Sequence, residues 1–183
     1  MTVPTPSPAH IIQRATDQLF QKRLLTNINR AVVVEAIVAF ALEPEWAWCS
    51  QDYSSHDFVH DASKVRLEVK QSAATQTWNT ETKALSRCQF DIALRTGEYV
   101  GSKWQPGSKR NADIYVFAHH PVKDFDLADH RDPLQWEFFV LAEGHLPAQQ
   151  ATLAIGSLKR LVAPVPYEKL RNAVEDARKS LHT

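Results

Sequence analysis

Asp57, Glu68 and Lys70 are the residues of this chain whose types and spacing can do chemistry. Between Val65 and Lys70, three aliphatic residues alternate with Arg66, Glu68 and Lys70, and the two-residue period of a strand puts the charged side chains on one face. Glu68 and Lys70 therefore point the same way. Asp57 lies on a preceding β-like segment, Tyr53 to His60, which the polar turn Asp61-Ala62-Ser63-Lys64 joins to Val65 to Ser72. A hairpin would set Asp57 across from Glu68 and gather two carboxylates and an ammonium. Each would have its own task in phosphate chemistry. Carboxylates on neighbouring strands supply hard oxygen ligands for Mg2+ or Mn2+, ions that keep several waters for the substrate. A lysine on the same face stabilises charge on a phosphate or activates an attacking water. Two ionised carboxylates about 5 Å apart repel by roughly 3 kcal/mol at an effective dielectric of about 20, so such a face favours a divalent cation. Glu-x-Lys on an exposed strand is also a common solvated ion pair, and spacing alone leaves both readings open.

The elements that must position these residues are legible in outline. A helical period covers Ala9 to about Arg23 through Ile11, Ile12, Ala15 and Leu19, and reads as a packing helix. A second helix is predicted from about Asn27 to Leu42, with Asn27 or Asn29 as a candidate cap and Pro44 just past its end, and its almost wholly apolar centre should lie against the main sheet. Glu35 is the exception in it. Buried, it would cost several kcal/mol unless it reached an arginine, a metal or solvent; otherwise it points along a solvent stripe. Trp46 and Trp48 suit a short strand or a bracing loop. Cys88 to Arg95, Ala112 to Ala118 and Gln135 to Leu141 read as strands, with His119 and His120 closing the second of these on opposite faces. Thr96 to Arg110, with three glycines and a proline, reads as a mobile basic loop. Ser157 is a candidate cap for a short helical turn, and an amphipathic helix runs from about Pro166 to Leu181. The order predicts an α/β fold with a mixed central sheet of about five strands flanked by helices.

At 183 residues, with 44% apolar and 23% charged residues, the chain suits one domain over residues 9–183 behind a disordered arm at residues 1–8. Lys plus Arg equals Asp plus Glu at 21 each, which excludes an argument from global charge for nucleic acid or membrane but leaves a local basic groove open. Cys49 and Cys88 are too far apart in sequence for a redox dithiol or zinc pair and read as reduced, buried thiols. The start lacks the features of a signal peptide and no stretch is long and apolar enough to span a membrane, so a cytoplasmic protein is expected.

Asp57-Phe58-Val59, then Val65-Arg66-Leu67-Glu68-Val69-Lys70-Gln71-Ser72-Ala73 and Gln76-Thr77-Trp78, resembles the active-site hairpin of the PD-(D/E)XK nuclease superfamily. Within it the chain is similar to a group of small bacterial members with an Asp…Glu-Val-Lys-x-Ser-Ala hairpin. The likeness extends to the helix bearing Glu35, to Arg110 through Phe117, and to Gln135-Trp136-Glu137-Phe138; His56 stands where the nominal motif has proline. The resemblance implies a restriction-endonuclease-like sheet flanked by helices, a divalent ion (Mg2+ or Mn2+), and hydrolysis of phosphodiester bonds in nucleic acid, with DNA the expected form. It matches Asp57 and Glu68 to the metal-binding carboxylates, Lys70 to the catalytic lysine, and Glu35 to a glutamate that some members add.

Gln71 can hold a water or a phosphate, or serve as a hydrogen-bond tie. Asp113 suits a structural pairing with Arg110 or a backbone amide. Lys103, Lys109 and Arg110, with Trp104 among them, can line a nucleic-acid groove or form a solvated basic loop. A non-catalytic nucleic-acid-binding or scaffold protein that keeps the fold remains the alternative, as does a hydrolase for other phosphoesters. A homodimer is compatible with the sequence.

Overall fold

The computed structural model describes residues 4–49 and 54–181. The chain runs through Pro8–Phe20 (α1), Asn27–Leu42 (α2), Trp46–Trp48 (β1), Phe58–His60 (β2), Arg66–Ala73 (β3), Gln89–Asp91 (β4), Arg95–Val100 (β5), Lys103–Lys109 (β6), Ile114–His120 (β7), Glu137–Ala142 (β8), Thr152–Ala154 (β9), Ile155–Leu161 (α3) and Leu170–Ser180 (α4). Five strands form the main sheet in the order β1-β2-β3-β7-β8. Only β3 and β7 are parallel; the other neighbours are antiparallel. The fold is mixed α/β, as the order of elements predicts.

Strand β7 shows why the sheet has helices on both sides. It is buried along its whole length, and its side chains alternate between two cores. Ile114, Val116 and Ala118 join Val34, Ile37, Val38 and Leu42 of α2 with Leu170 and Val174 of α4. Tyr115 and Phe117 join Phe90 of β4, Phe139 of β8, Leu153 of β9 and Leu158 of α3. Strand β8 divides the same way, Phe138 into the first core and Phe139 into the second.

Helix α2 has the predicted bounds. It stops after Leu42 because Pro44 drives the residue before it, Glu43, into extended geometry. Helix α1 starts as its sequence suggests, with Pro8 in the first turn and the Ser7 hydroxyl accepting from the His10 amide at 3.3 Å. It does not pack, however. None of its residues is buried, because α2, α4, α3 and the β4–β9 pair already cover the sheet.

Four further expectations are corrected. The segment from Cys88 to Arg95 gives only a three-residue strand, which pairs with β9 outside the main sheet, and β1 takes the fifth place. The Asp91 carboxylate accepts from the Ala93 amide at 3.0 Å and turns the chain out of the strand. The expected mobile loop is an antiparallel hairpin, β5 paired with β6, turned at Gly101, where φ is +61°. Pro106 is tolerated because this two-stranded ribbon is all edge. Ser157 lies inside α3, whose cap is Ala154, and Cys49 is only half-buried, unlike Cys88. Of the expected N-terminal arm, residues 1–3 lie outside the described residues, as does Tyr53 at the start of the expected hairpin. No described helix is long and apolar enough to cross a membrane.

At the far end of β7, His119 turns to Glu137, with Nδ1 3.1 Å from Oε2, while His120 turns inward against His130 and Trp136. The His120 Nε2 lies 3.1 Å from Gln135 Oε1, and the His130 Nδ1 accepts from the Leu25 amide at 3.0 Å. Both rings are fully buried. Burial pushes His120 down to about 4 and His130 down to about 3. Unfolded imidazoles titrate at about 6.5, so the stability these neutral rings contribute is complete above that pH and lost as pH falls toward the folded values. Between pH 7 and 5 the unfolding free energy of the wild type should fall by about 2 kcal/mol more than that of His120→Phe, as read from urea titrations. Parallel pH profiles would refute this.

Candidate active site

The site is built where the β2–β3 ladder ends. Phe58 pairs with Leu67 and Val59 with Arg66, so Asp57, one residue earlier, stands opposite Glu68. Its amide still donates to the Leu67 carbonyl at 3.0 Å, while its carbonyl has already turned to the Cys49 amide at 2.8 Å. The next inward β3 amide, that of Val69, has lost its strand partner. The Asp57 carboxylate takes it, with Oδ2 2.6 Å from the Val69 nitrogen. On the same strand the Lys70 ammonium donates to Glu68 Oε1, and both side chains are largely buried, 18% and 17% exposed. The three residues expected to carry chemistry thus share one cleft, together with Glu35.

Glu35 reaches this cleft from α2. Its Oε2 accepts from the Trp48 indole at 3.1 Å, and Trp48 stacks on Phe58 with ring centres 6.2 Å apart. Of the alternatives open to it, the glutamate takes a partner at the cleft rather than a solvent stripe. Burial raises its pKa, and the nearby Glu68 adds to the rise. Asp57 is pushed further, up to about 7, first by burial and then by Glu68; the Val69 amide and Lys70 pull the other way. Burial is thus the first reason both carboxyls are pressed toward protonation, and their closeness to Glu68 is the second.

Arg30 is a residue of the site that the sequence reading passed over. It is 1% exposed, and amide oxygens, not a carboxylate, satisfy it. Nε donates to Gln71 Oε1 at 2.6 Å, one terminal nitrogen to Gln76 Oε1 at 2.8 Å and the other to Asn27 Oδ1 at 2.9 Å. Burial lowers its pKa to about 10, so it stays a cation at neutral pH. The cue was available: Arg30 is the only basic residue in the sixteen of α2. Gln71, which lines the same cleft, serves as a tie in this lattice, its Nε2 donating to Asn27 Oδ1 at 3.0 Å while its oxygen serves Arg30.

A second cleft, of about 400 Å3, opens on the other side of the carboxylates. Asp57 and Glu68 line both it and the Arg30 cleft of about 510 Å3. Its outer wall is the β5–β6 hairpin, held in place by Glu98, which meets Lys109 at 2.7 Å and Arg66 at 3.5 Å. Asp113 accepts from the Arg66 amide at 2.8 Å, so its structural partner is Arg66 and not Arg110. Of the three expected nucleic-acid contacts, Lys103 and Lys109 are exposed on the hairpin, and Arg110 is not available. Its guanidinium is buried, bound to the Ile92 carbonyl at 2.7 Å, Glu143 at 3.0 Å and the Pro147 carbonyl at 2.6 Å.

Among the described residues no three histidine, cysteine or acidic side chains converge as a ready metal cage. Two carboxylates fit a hard ion that keeps most of its water, such as Mg2+ or Mn2+, and do not fit a structural zinc centre. Asp57 and Glu68 would hold it; Glu35, committed to Trp48, stands where it would act through a water. No known family, curated protein or solved structure matches this chain.

The strain in this pocket can be measured. A folded pKa raised to about 7 means that the ionised Asp57 destabilises the fold as pH rises through that value. Asp57→Asn should therefore be more stable than the wild type by roughly 2 to 4 kcal/mol at pH 8 in metal-free urea titrations, with the difference vanishing toward pH 4. A variant less stable at pH 8 would contradict the electrostatic account.

Proposed function

We propose that the chain is a metal-dependent nuclease that hydrolyses phosphodiester bonds of nucleic acid, with DNA as the expected substrate and the cytoplasm as its place of action. The observation that carries this reading is the meeting of Asp57, Glu68 and Lys70 at the junction of two clefts, one with a buried cation in its wall and the other with a basic rim. Asp57 and Glu68 would bind Mg2+ or Mn2+ through carboxylate oxygens. The bound ion supplies Lewis-acid polarisation of the phosphate and a lower pKa for coordinated water.

The protein's own groups do the rest. Lys70, held beside Glu68, offers its remaining N–H donors to the attacking water and to the charge that builds on phosphate oxygens. The low exposure of this pair keeps bulk water away and strengthens each charge interaction. Glu35 orders water at the rim. Arg30 contributes a fixed positive charge that needs no reorganisation during reaction, because Gln71, Gln76 and Asn27 hold it in place.

Lys70→Ala should abolish cleavage of plasmid and oligonucleotide substrates in Mg2+ or Mn2+ while leaving the far-ultraviolet circular dichroism spectrum unchanged. Undiminished cleavage by that variant would end the proposal. Ion binding has its own readout: at 100 times its dissociation constant an ion stabilises the wild type by about 2.7 kcal/mol, a rise in melting temperature that Glu68→Gln should lose. A wild type that neither shifts nor cleaves at millimolar metal would be a binding or scaffold protein.

A further inference from the structure

We propose that the cleft beneath the β5–β6 hairpin is a subsite for one unpaired nucleobase, which makes single-stranded nucleic acid the substrate class. The inference rests on the nuclease reading in one respect only, that the phosphate to be cut lies at Asp57 and Glu68.

Trp104 is the centre of the subsite. Its indole lies directly against the backbone of Gly97. A Cβ on Gly97 would stand 2.5 Å from the indole Cζ2, 2.8 Å from Cε2 and 2.3 Å from the Gln105 carbonyl, so only glycine leaves room for it. Tyr99 braces the ring edge-on, with centres 5.1 Å apart. The indole is thus fixed by its surroundings and still 48% exposed in the wall of the cleft. A large aromatic surface left open on a rigid seat is suited to stacking a flat π-system, and every nucleobase presents one.

Asn111 lies in the wall of the same cleft and makes an independent observation. It is 5% exposed, its Nδ2 donates to the Gly97 carbonyl at 3.4 Å, and its Oδ1 has no partner among the described residues. A buried acceptor of that kind costs stability unless a ligand supplies a donor, and an exocyclic amino group on a stacked base is one.

Charge and continuity identify the occupant. The hairpin carries three exposed cations, Arg95 paired with Asp91 at 2.8 Å, Lys109 paired with Glu98 at 2.7 Å, and Lys103, a basic edge that suits a polyanion. Asp57 and Glu68 line the same cleft, so a base on Trp104 belongs to a nucleotide close to the phosphate they would address. The neighbouring Arg30 cleft receives the strand on the other side. A base in a duplex has both faces covered by its neighbours and cannot stack on a side chain without leaving the helix. A single strand offers it freely.

Fluorescence anisotropy with a short labelled DNA oligonucleotide, free and annealed to its complement, tests this in EDTA, where nothing is cut. The wild type should bind the single strand at least about tenfold more tightly than the duplex. Trp104→Ala should weaken the single strand by about five- to a hundredfold with little change for the duplex, and Trp104→Phe should restore most of the loss. Gly97→Ala, which unseats the indole without removing it, should also weaken the single strand. Equal affinity for the two forms, or a Trp104→Ala variant that binds like the wild type, would overturn the subsite. The two readings fail separately. Trp104-dependent binding without cleavage in Mg2+ or Mn2+ would remove the nuclease and keep the subsite, and cleavage that ignores Trp104 would do the reverse.

Discussion

One amide governs the centre of this protein. Strand β2 leaves β3 at Asp57, and the Val69 N–H that follows would be orphaned in a largely buried place. The Asp57 carboxylate satisfies it. That bond ties the carboxylate to the backbone of β3, opposite Glu68 and within reach of the electrostatics of Lys70. A hydrogen bond to the ionised carboxyl lowers its pKa, yet burial and Glu68 raise it by more. The fold therefore holds the group where it is least comfortable as an anion.

The rest of the site has the same character. Among the described residues the buried Arg30 has amide oxygens as its hydrogen-bond partners, and the half-buried Glu35 has an indole. Charged groups without opposite charges are costly in a protein interior, and hydrogen bonds to neutral dipoles recover only part of the hydration they lose. A protein that needed only stability would pack such positions with apolar residues. Their concentration around two joined clefts is the pattern on which the proposed site rests.

The two cores explain how the fold tolerates this. Alternation along β7 and β8 sends bulky side chains to both faces of the sheet, with α2 and α4 on one and α3 with the β4–β9 pair on the other. Strand β3, beside β7, starts the same way with Leu67 in the first core. At Glu68 and Lys70 its other face lacks apolar cover, and the hairpin pinned by Arg66, Glu98 and Lys109 stands beside that gap. The clefts exist because the second core stops short of this end of the strand.

The sequence by itself determined the elements whose pattern is local. Helix α2 is legible from its apolar run and Pro44, although its cap is Thr26; β3 follows from alternation and β7 from its strand-like apolar run; and the shared face of Glu68 and Lys70 follows from a period of two. Asp57 could be named, but its bond to Val69 could not, since it depends on where β2 departs. Only the tertiary structure decided which segments found a partner. Trp46 to Trp48 joined the main sheet and Gln89 to Asp91 did not, α1 was left outside, and glycine and proline in residues 95–109 mark a paired ribbon rather than a loop. Arg30 and Arg110 look alike as letters. One lines the cleft in a cage of amides and the other clamps three distant segments, because burial and partners are properties of the packed chain and not of the residue.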